Sequence, residues 1–165
     1  MKPRFLNTLA AAALLGATAL TAATGAMAQE VTLKLHQFLP AQANVPKLIL
    51  DEWIARVEKD AGGKLEIEHY PAMQLGGKPP ELMDQVMDGV VDLAWTVNGF
   101  TPGRFPRTEV FELPFMMTNA EAVSKAYWDL FEKEMKDTDY KDVHVIGTWV
   151  HGPGVMHTNK PVATM

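Results

Sequence analysis

Cysteine is absent from the 165 residues. That excludes disulfide staples, thiol nucleophiles, thiolate metal ligands and a lipidated N-terminal cysteine. Arginine is nearly missing: Arg4, Arg56, Arg104 and Arg107 are the whole supply. They are scattered, and the formal net charge is −5. Nucleic acid is therefore not expected as a partner, because phosphate neutralisation needs clustered basic side chains. Serine occurs once, as Ser124 beside Lys125, and reads as a surface residue. No Gly-x-Ser-x-Gly elbow surrounds it. The phosphate-loop spacing is missing too, since Gly76-Gly77-Lys78 lacks the upstream Gly and the following Ser or Thr. That triplet reads as a tight turn before a helix. The five histidines, His36, His69, His144, His151 and His157, contain no His-Glu-x-x-His pair. They are expected as hydrogen-bonded loop or strand-end residues. The ten methionines form no Met-x-x-Met series, so core packing at Met83, Met87 and Met135 is preferred to copper handling. No cofactor and no metal are expected.

What is present belongs to a folded chain. Hydrophobic residues make up 47% and charged residues 21%, which excludes a disordered tail and is enough for one ordinary domain. Lys2 and Arg4 are the only charges before Glu30. An apolar run from Phe5 to Thr24 follows, then Ala26-Met27-Ala28. This is a positive n-region, an apolar h-region and a small-residue cleavage site. Residues 1–28 are read as an export signal, cut after Ala28. A permanent anchor is the alternative, but Gly16, Gly25 and the many Ala and Thr make the run weakly apolar for spanning. The remaining chain, 29–165, is more acidic by two charges.

Beyond the signal, strand and helix patterns alternate. Val31, Leu33 and Leu35 fall on one face of a first strand. Leu50, Trp53, Ile54, Val57 and Ala61 make one helical stripe, stopped by Gly62-Gly63. Leu65 and Ile67 mark a second strand. Pro79 and Pro80 suit the first turn of a second helix, whose stripe is Leu82, Met83, Val86, Met87 and Val90. Val90 to Trp95 reads as a third strand. Its nearly continuous apolar character predicts a central position. An irregular stretch runs from Asn98 to Met117. Thr118-Asn-Ala-Glu121 is a capping-box signature for a helix that aligns Val123, Ala126, Tyr127, Leu130 and Phe131. Val143–Val150 reads as a fourth strand and Gly154–Thr158 as a fifth. The class is α/β with a mainly parallel sheet flanked by helices.

Ligand crevices in such sheets lie at the carboxyl ends of the strands. Trp95, Asn98, Phe100 and Trp149 fall near predicted strand ends. Apolar walls with a few oriented polar groups suit a small organic ligand. The same residues equally suit a core tryptophan with turn residues, and both readings stay open at this point. A small exported α/β hydrolase-like enzyme, with a site among His36, His151 and His157, is a further alternative. It lacks an identifiable set of base, nucleophile and orienting group.

The motifs resemble one family. Leu65-Glu-Ile-Glu-His-Tyr-Pro71-Ala-Met-Gln-Leu75-Gly76-Gly77 is followed by Glu81-Leu-Met-Asp-Gln-Val-Met-Asp-Gly89-Val-Val-Asp92-Leu, then Glu109-Val-Phe-Glu-Leu113-Pro114-Phe115. This succession is similar to the DctP-like solute-binding proteins of tripartite ATP-independent periplasmic (TRAP) transporters. His151-Gly-Pro-Gly-Val-Met-His-Thr-Asn159-Lys-Pro161 extends the resemblance, which covers 29–165. It implies a two-lobed, non-enzymatic periplasmic receptor that closes on an organic acid, a dicarboxylate among the candidates. It also implies delivery to integral membrane subunits of the transporter. A receptor of an ATP-driven importer is the competing transport reading.

By the resemblance, 29–150 is the first lobe and 151–165 begins the hinge, with the second lobe largely missing. The ends of the first strand (His36, Gln37, Phe38) and of the third (Trp95, Thr96, Val97, Asn98) face the cleft. Trp149 and His151 lie near the hinge. His36 and Asn98 are the expected polar contacts. The family's carboxylate-binding Arg, in a Gly-x-Lys-x-Arg motif, falls beyond Met165, and position 154 carries Gly where some members have a second Arg. Losing one charge-assisted hydrogen bond removes about 1.5–3 kcal/mol, roughly one to two decades of affinity. The chain as written is thus expected to bind organic acids weakly or not at all. Trp95, Phe100 and Trp149 lean slightly toward an aromatic or hydroxylated monocarboxylate.

Overall fold

The computed structural model describes residues 31–117, 119–154 and 157–160. The export signal, Thr118 and the last five positions lie outside the described residues. Three parallel strands form the sheet, β1 (Val31–Gln37), β2 (Leu65–Tyr70) and β3 (Leu93–Trp95), in the order β2-β1-β3. The register pairs Val31 with Leu65 through His36 with Tyr70 on one side. On the other it pairs Leu35 with Leu93 through Gln37 with Trp95. The centre is thus β1, and β3 is an edge, which corrects the expectation from hydrophobicity. Burial explains the difference. At the carboxyl end of β1, Leu35, His36 and Gln37 are all buried in succession, because strands flank it on both sides and both faces are covered. The short β3 is only half-buried.

A π-helical turn, Pro46–Leu50, runs straight into α1 (Asp51–Ala61). Its Leu50 and Ile54 pack with Leu35 and Ile67 into a first core cluster, as the stripe predicts. Gly62 ends the helix in the left-handed region, with φ 59°, where a Cβ would be strained. The Ile67 amide donates to Glu58 Oε1 at 2.7 Å, fixing α1 to the adjacent strand. A 3₁₀ turn, Pro79–Glu81, leads into α2 (Leu82–Met87). Leu82 is buried, but Met87 and Val90, expected on the same stripe, are exposed. The helix is too short to bury a long stripe, and Met87 Sδ instead accepts from Arg104 Nη2.

A second core cluster holds Phe105, Tyr127, Phe131, Met135 and Tyr140. It is built on α3 (Ala120–Leu130) and the π-helical turn Phe131–Met135. Asn119 caps α3, its Oδ1 accepting from the Ala122 amide at 2.9 Å. The cap is therefore one residue later than the Thr118 motif predicts. Along the expected face, Tyr127 and Phe131 are buried, while Ala126 is exposed.

The expected fourth strand is not a strand. Residues 144–150 have no ladder partner among the described residues. Val143, Val145 and Val150 pack on the second cluster, while Ile146 and Trp149 stay exposed. Alternation there sorts two faces of an extended chain, but a strand also needs a neighbouring edge to pair with. Ser124, read from sequence as a surface residue, instead accepts the Val150 amide at 3.0 Å. Of the expected fifth strand, Gly154, His157 and Thr158 carry no strand; residues 155–156 lie outside the described residues.

Candidate ligand-binding site

Because the three strands are parallel, their carboxyl ends share one edge of the sheet. There β1 delivers Phe38 and β3 delivers Trp95, followed by the 3₁₀ turn Asn98–Phe100. Phe38 stacks on Trp95 at 5.0 Å with 12° between planes. Phe100 meets Phe38 edge-on at 5.0 Å. Trp149 lies parallel to Trp95 at 6.3 Å, within 17°. Four rings thus form one array, in the offset or edge-on geometries that aromatic quadrupoles favour. Trp149 keeps 39% of its surface exposed, so the array is open at that end.

The expected polar contacts are placed differently. His36 has no exposed surface. Its Nδ1–H donates to Gln85 Oε1 at 2.6 Å, and its Nε2 accepts from the Leu75 amide at 3.3 Å. Both nitrogens are occupied, and the ring is the neutral tautomer. Gln85 Nε2 in turn donates to the Gly76 carbonyl at 3.1 Å. The histidine therefore pins the 71–78 loop to α2. Gln37, also without exposed surface, holds both main-chain groups of Leu39 through its amide. Gln37 Nε2 also lies 3.3 Å from His69 Nε2, whose Nδ1 is 2.7 Å from Asp51 Oδ1. Thr96 and Val97 are half-buried. His151 is exposed, and its Nδ1 lies 2.6 Å from the Gly152 carbonyl.

Asn98 Nδ2 lies 2.8 Å from the Tyr127 hydroxyl and 2.6 Å from that of Tyr140. The two hydroxyls are 3.0 Å apart. Tyr140 and Gln85 are the residues sequence reading missed. No local pattern marks either one, since each acts on a partner far along the chain. Burial is the main cause that raises the pKa of both phenols; Tyr127's carbonyl-side neighbours oppose it, with the Tyr140 and Asn98 hydrogen bonds lowering its value. For a raised phenol the sign is clear. Stability is intact below the unfolded pKa near 10 and is lost as pH rises above it, because only the unfolded state gives up its proton. Urea unfolding between pH 9 and 11.5 should show this loss, with a slope of about 1.4 kcal/mol per pH unit for one phenol. Tyr140→Phe should flatten it; an unchanged slope would contradict the assignment.

A cavity of ≈ 210 Å³ adjoins the Asn98 turn, lined in part by Phe105, Glu109 and Glu112. Its two carboxylates make it hostile to an organic anion, so the ring array is the better ligand surface. Among the described residues no group of three or more His, Asp or Glu converges to hold a metal ion.

Comparison with known proteins decides the family. Residues 37–165 match the family described as bacterial extracellular solute-binding protein, family 7. The chain belongs to that family. Members include the C4-dicarboxylate-binding periplasmic protein DctP of Rhodobacter capsulatus, 29% identical over 154 residues, covering 91% of this chain and 46% of that protein. A TRAP solute-binding protein from Rhodoferax ferrireducens T118, solved with copurified benzoate, is 54% identical with a TM-score of 0.71. That alignment covers 74% of this chain and 38% of the other. A marine metagenome TRAP solute-binding protein specific for aromatic acids, solved with 3-hydroxybenzoate, is 49% identical with a TM-score of 0.73. It is covered to 39%, against 76% of this chain. The chain thus spans less than half the length of these relatives. Its three-stranded parallel sheet with flanking helices is the first lobe of the family 7 fold. Family 7 receptors are periplasmic transport proteins rather than enzymes.

Proposed function

We propose that this chain captures aromatic monocarboxylates as the receptor of a TRAP transporter and hands them to the transporter's integral membrane subunits. The ring array at the carboxyl edge of the sheet carries the reading. A benzoate-sized ring gains stacking on Trp95 or Trp149, at about 0.5–1.5 kcal/mol beyond its burial, which an aliphatic acid cannot gain. The benzoate and 3-hydroxybenzoate relatives, at 54% and 49% identity, support the same ligand class. In this reading residues 1–28 are the export signal, cut after Ala28. Residues 29–150 form the first lobe, and 151–165, with His151, enter the hinge. Phe38, Trp95 and Trp149 form the ligand surface, with Asn98 as its polar neighbour. His36 and Gln37 hold the backbone beneath it.

The test is calorimetry on the full-length protein with benzoate, 3-hydroxybenzoate and succinate, paired with tryptophan fluorescence. Aromatic acids should bind at least tenfold tighter than succinate and perturb the tryptophan emission. Equal or tighter binding of succinate, or aromatic binding without an emission change, would defeat the proposal.

A further inference from the structure

We infer that Asn98 turns its amide NH2, not its carbonyl, toward the cleft, and that the buried Tyr127–Tyr140 pair holds it there as the donor for the ligand's carboxylate. This rests on the receptor reading above and names a polar partner within it.

The hydrogen-bond arithmetic comes first. With Nδ2 against both phenols, the amide donates one hydrogen to each hydroxyl oxygen. One phenol can then donate to the other, and the last phenol hydrogen has no acceptor. Tyr127 and Tyr140 are both buried, so an orphaned hydroxyl hydrogen there is costly. With the amide turned over, Oδ1 accepts from both hydroxyls through its two lone pairs and every phenol hydrogen is satisfied. Oxygen and nitrogen of an amide are assigned from the hydrogen-bond network, which here favours the turned form.

The distances agree. Contacts of 2.8 and 2.6 Å fit O–H···O bonds, which centre near 2.7–2.8 Å, better than N–H···O bonds, which centre near 2.9–3.0 Å. Burial keeps both phenols protonated and able to donate.

The other end of the amide is then free to act. It has no hydrogen-bond partner among the described residues, yet it is not among the buried unpaired atoms, so solvent reaches it. Glu112, whose carboxylate lies against Gly99, makes no hydrogen bond to Asn98. The amide sits three residues after Trp95 and two before Phe100, both members of the ring array. Two N–H donors beside a stacking surface match a carboxylate on an aromatic ring. They offer nothing to a carboxamide's own donors, so benzoate should be preferred to benzamide.

Hydrogen exchange of the Asn98 side-chain amide, by NMR on ¹⁵N-labelled full-length protein, tests the orientation. Without ligand the two hydrogens should exchange at nearly free rates, slowing at least tenfold with saturating benzoate. Hydrogens already protected without ligand, or responding to Glu112→Gln but not to benzoate, would overturn it. Calorimetry on Asn98→Asp tests the role. That variant keeps an acceptor for both phenols and should retain its melting temperature, while benzoate affinity falls at least thirtyfold. Benzoate affinity within twofold of the parent would sink the proposal. If the parent binds no aromatic acid, the receptor reading fails and the ligand role of Asn98 with it, whereas protected amide hydrogens would overturn the orientation alone.

Discussion

An alanine at position 36 will destabilise the fold by about 2–4 kcal/mol, combining two lost hydrogen bonds with a buried void. The imidazole has no exposed surface and joins three pieces of chain: β1, the Leu75 amide and the Gln85 side chain. Removing it leaves Gln85 Oε1 without its donor and the Leu75 amide without its acceptor. The loop it pins is not relaxed. Ala72 and Met73 both sit at positive φ, 53° and 57°, a conformation that costs a non-glycine residue roughly 1–2 kcal/mol. Such strain survives only where surrounding bonds over-determine the backbone. Here those bonds run from the Ala72 amide to the Leu39 carbonyl and from the Met73 amide to the Gln37 carbonyl, and from Leu75 to His36. Urea unfolding should show the loss, and amide exchange at Leu75 and Gly76 should accelerate most. A loss under 1 kcal/mol, or unchanged exchange at Leu75, would contradict this account.

Phe131→Ala should cost more, about 3–5 kcal/mol, as large aromatic truncations in a core do. Phe131 is almost wholly buried in the second cluster. It meets Tyr140 edge-on at 5.4 Å and lies 5.2 Å from Trp128. The void would form beside the hydroxyl that orients Asn98, so the damage should reach the candidate site as well as the fold. Chemical unfolding checks the first part. Near-ultraviolet circular dichroism, which reports tyrosine packing, checks the second. A loss below 2 kcal/mol with an unaltered tyrosine signal would mean the cluster repacks without this ring.

Local patterns were legible where the partner is near in sequence. The α1 stripe, the Gly62 stop and the first two strands follow from period and turn chemistry alone. The family was legible as well, because the Pro71–Gly77 loop and Leu113-Pro114-Phe115 combine into a specific signature. What failed depends on distant neighbours. Strand β1 reads as half polar because His36 and Gln37 are polar, yet both are buried, and their polarity serves the loop and Leu39. The 143–150 segment alternates like a strand, but its valines pack on α3 and no ladder forms among the described residues. The ring array was half legible: Trp95, Phe100 and Trp149 were flagged near strand ends, while their mutual stacking was not. The Asn98–Tyr140 contact spans 42 positions, and nothing local announces it.

The stacking of Trp95 on Trp149 has a mechanical meaning. Trp95 packs with the first core cluster, and Val150, next to Trp149, packs with the second. A molecule held on these rings therefore touches both packing units at once. Its binding free energy enters their joint stability as RT ln(1 + [L]/Kd), about 2.7 kcal/mol at a hundredfold excess over Kd. Occupancy would act as a rivet between two separately built halves, so that they melt together rather than in turn.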